Sequence, residues 1–144
     1  MKIYKRPLTE KMKQIIYEGF KEYDIHSFGT SGMGEIVSFY FLDKQENIIS
    51  AVVVRLTWGA IHIKYVWTHK NHRNKGYATQ LMKAAFDFAK ENNCPFAYLE
   101  TMNFQAPKFY TKLGFKTEFK RDGYNFNNSL YYMKKDFNEQ ITTS

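Results

Sequence analysis

The sequence predicts a single α/β (α+β) domain, in which helices pack on a mixed sheet. Its 144 residues are close to the usual length of one domain. With 44% hydrophobic and 24% charged residues, the composition is that of a folded chain and excludes a disordered or collagen-like one. Hydrophobic periods of two and of 3.6 residues alternate along the chain, as in strands interleaved with helices. Since no linker or repeat divides the sequence, we expect one domain over residues 1–144.

The first half of the chain predicts one helix and three strands. Thr9 precedes a stretch that has apolar residues at helical spacing up to Phe20, which indicates a capped amphipathic helix. The segment 24–34 contains three Gly and two Ser and predicts a loop. Strands rich in β-branched and aromatic residues are expected over 36–42, 48–55 and 61–68, with a polar turn at 43–47. Alternation in the third strand puts Ile61, Ile63, Tyr65 and Trp67 on one face.

A helical period begins at Tyr77 and ends at Asn92-Asn93. One stripe of this helix would contain Ala78, Leu81, Met82, Ala85, Phe86 and Ala89. A buried strand over 96–101 follows, and then a short helix with Pro107 in its first turn and Gly114 just past its end. Two late strands are expected at 116–119 and 130–134, joined by an Asn-rich loop at 122–129.

Charge and cysteine content limit the environment and the partners. The 21 Lys and Arg exceed the 14 Asp and Glu by seven, and this surplus attracts phosphorylated cofactors, nucleic acid or other anions without selecting among them. Cys94 is the single cysteine, so an internal disulfide is excluded and a reducing compartment is expected. No signal-like or membrane-spanning apolar run is present, and we therefore expect a cytoplasmic protein.

The most informative stretch joins the third predicted strand to the long helix. It contains Arg73-x-x-Gly76-x-Ala78, with Lys70 and Lys75 nearby. The N-terminus of a helix presents unpaired backbone N–H groups and a partial positive charge. Gly and Ala would allow a diphosphate to approach these groups closely. The alternative is a solvated basic turn with a glycine at a strained position.

A second motif favours the diphosphate interpretation. The run Asn103-x-x-Ala106-x-x-Phe109-Tyr110-x-x-x-Gly114-Phe115 directly follows the strand at 96–101. With the first motif about thirty residues upstream, the chain resembles the GNAT superfamily of acyl-CoA-dependent N-acetyltransferases over roughly residues 36–135. The segment Phe104-Gln-Ala-Pro-Lys-Phe-Tyr is similar to one found in a bacterial subgroup of that family. The resemblance implies a mostly antiparallel sheet, with a splay between the family's fourth and fifth strands, which are the third and fourth predicted here.

The resemblance also implies roles for individual residues. Backbone groups of Val66, Trp67 and Thr68 would hold the pantetheine arm and thioester of acetyl-CoA. The pyrophosphate would lie on the amides of Asn74, Lys75, Gly76, Tyr77, Ala78 and Thr79, with Arg73 at the first motif position. Asn103 would reach the pantetheine from the neighbouring strand. Tyr110 matches the tyrosine that protonates the departing thiolate, a role suited to a phenol. Its alternative is a core aromatic residue beside Phe109 and Phe115.

The expected reaction is attack of a neutral amine on the acetyl thioester. Glu100 is the candidate base, or the residue that holds a water for that purpose, and its alternative is a carboxylate facing solvent or a lysine. His62 and His69 are weaker candidates, each equally interpretable as a surface or partly buried imidazole. We expect no metal site, because His69 and His72 on a basic loop are poorly arranged as ligands.

The acceptor and the oligomeric state are left open by the sequence. A polyamine-like or amino-sugar molecule, an amino acid, a protein or peptide amine and an aminoacyl-tRNA all remain candidates. Homodimers are frequent among such relatives, so a homodimer is one possibility. Two other function classes stay open: a non-catalytic module that binds acyl-CoA as an effector, and a nucleic-acid-binding domain. The second has suitable charge but no recognisable reading motif.

Overall fold

The computed structural model describes residues 1–137, and its contacts divide the chain into two compact units. The first unit, Met1–Gly32, contains helix α1, Glu10–Phe28. As predicted, Thr9 caps this helix, and its hydroxyl accepts a hydrogen bond from the Met12 amide at 3.2 Å. The loop predicted for 24–34 is wrong in its first half, because α1 continues to Phe28 and Gly29 ends it in the left-handed conformation at φ 80°.

The second unit begins at Met33 and contains the sheet. Its helices and strands, in chain order, are β1 Met33–Leu42, β2 Ile48–Thr57, β3 Ala60–Thr68, α2 Tyr77–Glu91, β4 Phe96–Met102, α3 Pro107–Lys112, β5 Lys116–Tyr124 and β6 Asn128–Asp136. The predicted order of helices and strands and the mixed α/β class are therefore confirmed. Of the helices in residues 1–137, none is long and apolar enough to span a bilayer.

The sheet has six strands in the order β1-β2-β3-β4-β6-β5. Every neighbouring pair is antiparallel except β3 and β4, which run parallel. These two strands pair only at Ile61–Ala97 and His62–Tyr98, near their starts. Their carboxyl ends therefore separate, and the sheet opens there as a V, in agreement with the predicted splay.

Helix α2 packs on one face of the sheet. Its stripe of Leu81, Met82, Ala85, Phe86 and Ala89 is buried, as its periodicity predicted. This stripe forms one core with side chains from the sheet and from the connection between α3 and β5: Val52, Val54, Ile61, Ile63, Ala97, Leu99, Phe115 and Met133. Strand residues that alternate with these point away from α2. The surface that they form is called the far face here, and it includes His62, Phe96, Tyr98, Glu100, Tyr132 and Lys134.

The predicted alternation in β3 is wrong beyond Ile63. Ile61 and Ile63 are buried, but Tyr65 and Trp67 are exposed on the other side. The cause is a bulge, since Val54 pairs with Ile63 whereas the next residue, Val53, pairs with Tyr65. An extra residue shifts the period of two by one position, and Val66 rather than Tyr65 then faces the core.

The final hairpin is longer than predicted. Strand β5 runs to Tyr124 and β6 starts at Asn128, so only Asn125–Asn127 remains of the loop expected at 122–129. Phe126 and Asn127 adopt positive φ angles of 60° and 58° there. This tight turn explains the Asn-rich composition, because asparagine tolerates the left-handed region better than most residues.

Candidate active site

A cleft of about 820 Å³ opens at the carboxyl end of β3. Its walls come from the end of β3, the loop that follows, the first turn of α2 and the start of α3. The lining residues are Val66, Trp67, Thr68, His72, Arg73, Asn74, Lys75, Gly76, Tyr77, Ala78, Thr79, Gln105, Ala106, Phe109, Tyr110 and Lys112. The cleft thus lies beside the splay and contains the whole first motif together with Ala106, Phe109 and Tyr110 of the second.

The loop before α2 exposes backbone amides to the cleft. Gly76 is the N-cap residue of α2, with φ 80°, and no side chain caps the helix. Asn74 also has a positive φ, of 61°. A Cβ added at Gly76 would meet no atom within 4 Å, so a side chain there would occupy space that is now open. The first amides of α2 have no intrahelical acceptor, and together with the helix dipole they suit an anion.

Cationic side chains surround these amides. Arg73, Lys75 and Lys112 line the cleft. The Arg73 Nε donates to the Thr68 carbonyl at 3.1 Å, which ties the loop to the end of β3. A diphosphate such as that of acetyl-CoA fits this arrangement: open space at Gly76, unpaired amides beside it, and positive charge around them.

Buried hydrogen bonds fix the end of β3 at the edge of the cleft. The Ser50 hydroxyl is fully buried and lies 2.9 Å from the Thr68 hydroxyl and 3.1 Å from the Trp67 carbonyl oxygen. The His69 amide donates to the Ile49 carbonyl at 2.8 Å. These bonds hold the backbone of Trp67 and Thr68 in one position, as expected of a strand end that aligns a ligand.

Tyr110 lies on α3 with its ring between two phenylalanines. The ring centroids of Phe109 and Phe115 are 5.2 and 5.8 Å away, in edge-on geometry. Burial raises the pKa of the Tyr110 phenol to about 12, because the charged phenolate would be poorly solvated. The phenol is therefore protonated at neutral pH. Both descriptions in the sequence analysis apply, since Tyr110 packs in the core cluster and also lines the cleft.

The structure brings together ten of the eleven predicted cofactor-binding residues, from Val66 to Thr79, and Tyr110 with them. Asn103 is not among the residues that line this cleft. The side-chain Oδ1 of Asn103 accepts a hydrogen bond from the backbone N–H of Ser129 at 2.9 Å, and the backbone N–H of Asn103 donates to the Ser129 carbonyl. The side chain thus joins the end of β4 to the start of β6.

Five lining residues were given no role in the site by the sequence analysis. They are His72, Gln105, Ala106, Phe109 and Lys112. Gln105, Ala106 and Phe109 lie within the second motif, which was the available signal for them. His72 was considered only as a poorly arranged metal ligand, and nothing in the local sequence marks Lys112.

Glu100 lies outside the cleft, on the far face. Its Oε2 is 2.7 Å from the His62 Nε2, so two residues that the sequence analysis considered separately form a pair. The His62 ring stacks on Tyr98 with 4.6 Å between centroids and an angle of 6° between planes. His69 and His72 have ring centroids 5.8 Å apart. Within residues 1–137, no group of three or more His, Cys, Asp or Glu side chains is arranged to hold a metal ion.

Curated relatives match part of this chain. It is 26% identical over 83 residues to blasticidin-S acetyltransferase from Streptomyces morookaense, which covers 57% of this chain and 61% of that protein. It is 32% identical over 99 residues to streptothricin acetyltransferase A from Bacillus subtilis (strain 168), covering 65% and 56% respectively. The chain therefore spans about three fifths of the length of these relatives.

A solved structure and a family model also match this chain, and both are of acetyltransferases. A putative streptothricin acetyltransferase from Bacillus anthracis, solved in complex with acetyl coenzyme A, superposes with a TM-score of 0.63 at 28% identity, covering 71% of this chain and 62% of that one. The family model "Acetyltransferase (GNAT) family" matches residues 6–115, which include the first motif, the cleft loop and α2. Fold, cleft and family match agree, and this chain belongs to the GNAT acetyltransferase family.

Proposed function

We propose that this protein is an acetyl-CoA-dependent N-acetyltransferase that acts on a primary amine. The observation that carries the proposal is the cleft, where a helix N-terminus, the open space at Gly76 and the fixed end of β3 lie together. An acetyl-CoA complex of a structural relative supports the choice of donor. The subgroup with the Phe-Gln-Ala-Pro-x-Phe-Tyr segment remains a finer assignment within this proposal.

In the proposed mechanism, amides 74–79 bind the pyrophosphate and the backbone of residues 66–68 aligns the pantetheine arm and polarises the thioester carbonyl. The acceptor ammonium first loses one proton to a base. The neutral nitrogen then attacks the acetyl carbon, so that a C–N bond forms and the C–S bond breaks. Tyr110 protonates the departing thiolate. The nitrogen, which then carries two protons and a positive charge, gives one of them to the phenolate and keeps the other as the amide N–H. Glu100 is proposed as the base or as the residue that holds the water leading to it.

A pKa of about 12 makes Tyr110 a weaker acid than an exposed tyrosine. It is nevertheless fully protonated before the reaction, and burial of the kind that raises its pKa would also raise the basicity of a thiolate bound beside it. We therefore keep Tyr110 as the proposed general acid. Asn103 remains a proposed pantetheine contact only through its Nδ2, because the Oδ1 is already bonded to Ser129.

The acceptor class is proposed from the curated relatives. Blasticidin-S and streptothricin acetyltransferases are named for antibiotics, and an amine-bearing antibiotic of that kind is the first acceptor to test. The net charge of +7 is mildly unfavourable to a polycationic acceptor and favourable to an aminoacyl-tRNA, so the latter belongs in the same screen. A cytoplasmic location and a homodimer complete the proposal.

A thermal-shift titration with acetyl-CoA, followed by a thiol-release screen, tests the proposal. Saturation at one hundred times the dissociation constant stabilises a folded protein by about 2.7 kcal/mol, so the melting temperature should rise by several degrees. The screen should include blasticidin S, streptothricin, polyamines, amino sugars, peptides and aminoacyl-tRNA. Thiol release that depends on one acceptor class would establish the reaction. Binding without release from any of them would instead favour a non-catalytic acyl-CoA module, and no shift would contradict the cofactor site.

A further inference from the structure

The pair formed by His62 and Glu100 lies where the two parallel strands stop pairing. The last paired residues of β3 and β4 are His62 and Tyr98, and Glu100 follows two positions later on the same face. The contact between His62 Nε2 and Glu100 Oε2 therefore bridges the two strands at the vertex of the splay. Above this point the strands diverge toward the end of β3, where the thioester is proposed to bind.

The contacts of His62 hold its ring in one plane and determine which ring nitrogen is left to accept a proton. Parallel stacking on Tyr98 holds the ring plane. When Nε2 carries the hydrogen, it donates to the Glu100 carboxylate, and Nδ1 is left with a lone pair. No residue within 1–137 is hydrogen-bonded to Nδ1. The His62 and Glu100 side chains are 25% and 37% exposed, so water can reach both.

Two of the cations on this face are engaged by other groups. The titratable and charged residues that face the pair from the strands around it are Arg55 on β2, Lys64 and Tyr65 on β3, Tyr98 on β4, Glu118 and Arg121 on β5, and Tyr132 and Lys134 on β6. The Arg55 Nε donates to the Gly34 carbonyl at 2.7 Å. Lys134 pairs with Asp136 at 3.1 Å and lies over the Phe96 ring. Among the described residues, only His62 forms an ion pair with Glu100.

We propose that His62 accepts the proton released by the acceptor ammonium, and that Glu100 is its positioning residue. This inference rests on the proposed function and changes the part played by Glu100. At a rise of about 3.3 Å per residue, Val66 lies about 13 Å along β3 from His62, so the proton moves through water in the splay rather than by direct contact. The ammonium loses a proton to this water, and Nδ1 gains one to form an imidazolium that the Glu100 carboxylate stabilises.

The test measures acceptor-dependent thiol release against pH for the wild type, His62→Gln and Glu100→Gln. The acceptor is the amine that gives the fastest release from the wild type. We expect His62→Gln to lower kcat about a hundredfold at neutral pH, the lower end of what a general base contributes. Its rate should then keep rising with pH where the wild type levels off. Glu100→Gln should lower kcat about tenfold, because the amide oxygen still accepts from the ring but the negative charge that stabilises the imidazolium is lost.

Two further measurements separate a proton-transfer role from a structural one. Added imidazole should restore part of the rate of His62→Ala, whose truncated side chain leaves space beside Tyr98. The variants should keep the acetyl-CoA thermal shift, and His26→Gln, on the exposed surface of α1, serves as the matched histidine control. An unchanged pH profile in His62→Gln would overturn this inference alone. If the wild type released no thiol with any acceptor, the proposed function would fail and this inference with it.

Discussion

The cleft presents mainly backbone groups to a ligand, whereas the far face of the sheet presents side chains. In the cleft, the left-handed turn at Gly76 positions the amides at the start of α2, and buried hydrogen bonds position the end of β3. On the far face, His62 and Glu100 are 38 positions apart in the chain, lie on two different strands, and contact each other through their side chains. Substitutions should therefore act differently in the two regions: added bulk should damage the cleft, and loss of a functional group should damage the far face.

The largest expected effect is that of Gly76→Glu on acetyl-CoA binding. A carboxylate there would enter the space proposed for the pyrophosphate, and two like charges about 4 Å apart repel by about 4 kcal/mol near a protein surface. We expect the dissociation constant, measured by calorimetry, to rise about a hundredfold. Gly59→Glu is the matched control, because Gly59 has a similar φ of 82° and equally open surroundings, in the turn between β2 and β3. Equal losses in both variants would mean that backbone strain, not the phosphate site, is responsible.

Tyr110→Phe should show the reverse behaviour, with a loss of rate and little loss of binding. The substitution removes the phenolic proton and keeps the ring between Phe109 and Phe115. We expect kcat to fall about a hundredfold, within the range for a general acid, with the acetyl-CoA dissociation constant unchanged within about twofold. The exposed Tyr124, changed to Phe, provides the control. Normal turnover by Tyr110→Phe would exclude the acid role and leave only the packing role.

The same residue should affect stability at alkaline pH. In the folded protein the pKa of Tyr110 is about 12, against 10.0 for the free side chain, so the unfolded chain ionises first as pH rises. The stability contributed by the neutral phenol is complete below about pH 10 and is lost towards pH 12. Over that window the wild type should lose up to about 2.7 kcal/mol more than Tyr110→Phe, measured by urea unfolding. Parallel curves for the two proteins would contradict the burial of the hydroxyl.

The smallest effect, about 1–2 kcal/mol, is expected from Asn103→Ala, and it falls on stability. The Ser129 amide would lose its acceptor at the join between β4 and β6. Asn103→Asp keeps that acceptor but removes the Nδ2 donor, which makes it the matched variant. We expect unfolding experiments to show a loss of stability only for alanine. Calorimetry should show modestly weaker acetyl-CoA binding for both variants, because both lack the Nδ2 donor proposed to contact the pantetheine. Unchanged binding by the aspartate variant would contradict that contact.

The cleft could be predicted from sequence because its parts are consecutive. A strand end, a glycine-containing loop and a helix start follow one another between Val66 and Thr79, and local geometry determines where their amides point. The faces of β3 could not be predicted in the same way. Its bulge is set by pairing with β2, and no local pattern shows that Lys64 is the extra residue. The contact of His62 with Glu100 was missed for a similar reason, since it depends on which strands become neighbours.

Two loops were predicted to be longer than they are, and the reason is not strand pairing but the way in which glycine and asparagine were interpreted. Gly29 and the asparagines near Phe126 were taken as signs of extended loops, but each stands at a point where the chain turns within one or two residues. A left-handed position needs only a single suitable residue. Composition over a window therefore overestimated the loop lengths, and α1 and β5 proved longer than expected.

The two-pair ladder between β3 and β4 has a mechanical consequence. On each side of this short ladder lies an antiparallel three-stranded half of the sheet, β1-β2-β3 or β4-β6-β5, and few backbone hydrogen bonds join the two halves. Helix α2 packs against strands of both halves. A slight rotation of one half relative to the other would change the width of the splay without breaking either antiparallel ladder. Packing of α2 against both halves therefore opposes such a rotation, and we expect substitutions in the apolar stripe of α2 to change the width of the splay and with it catalysis.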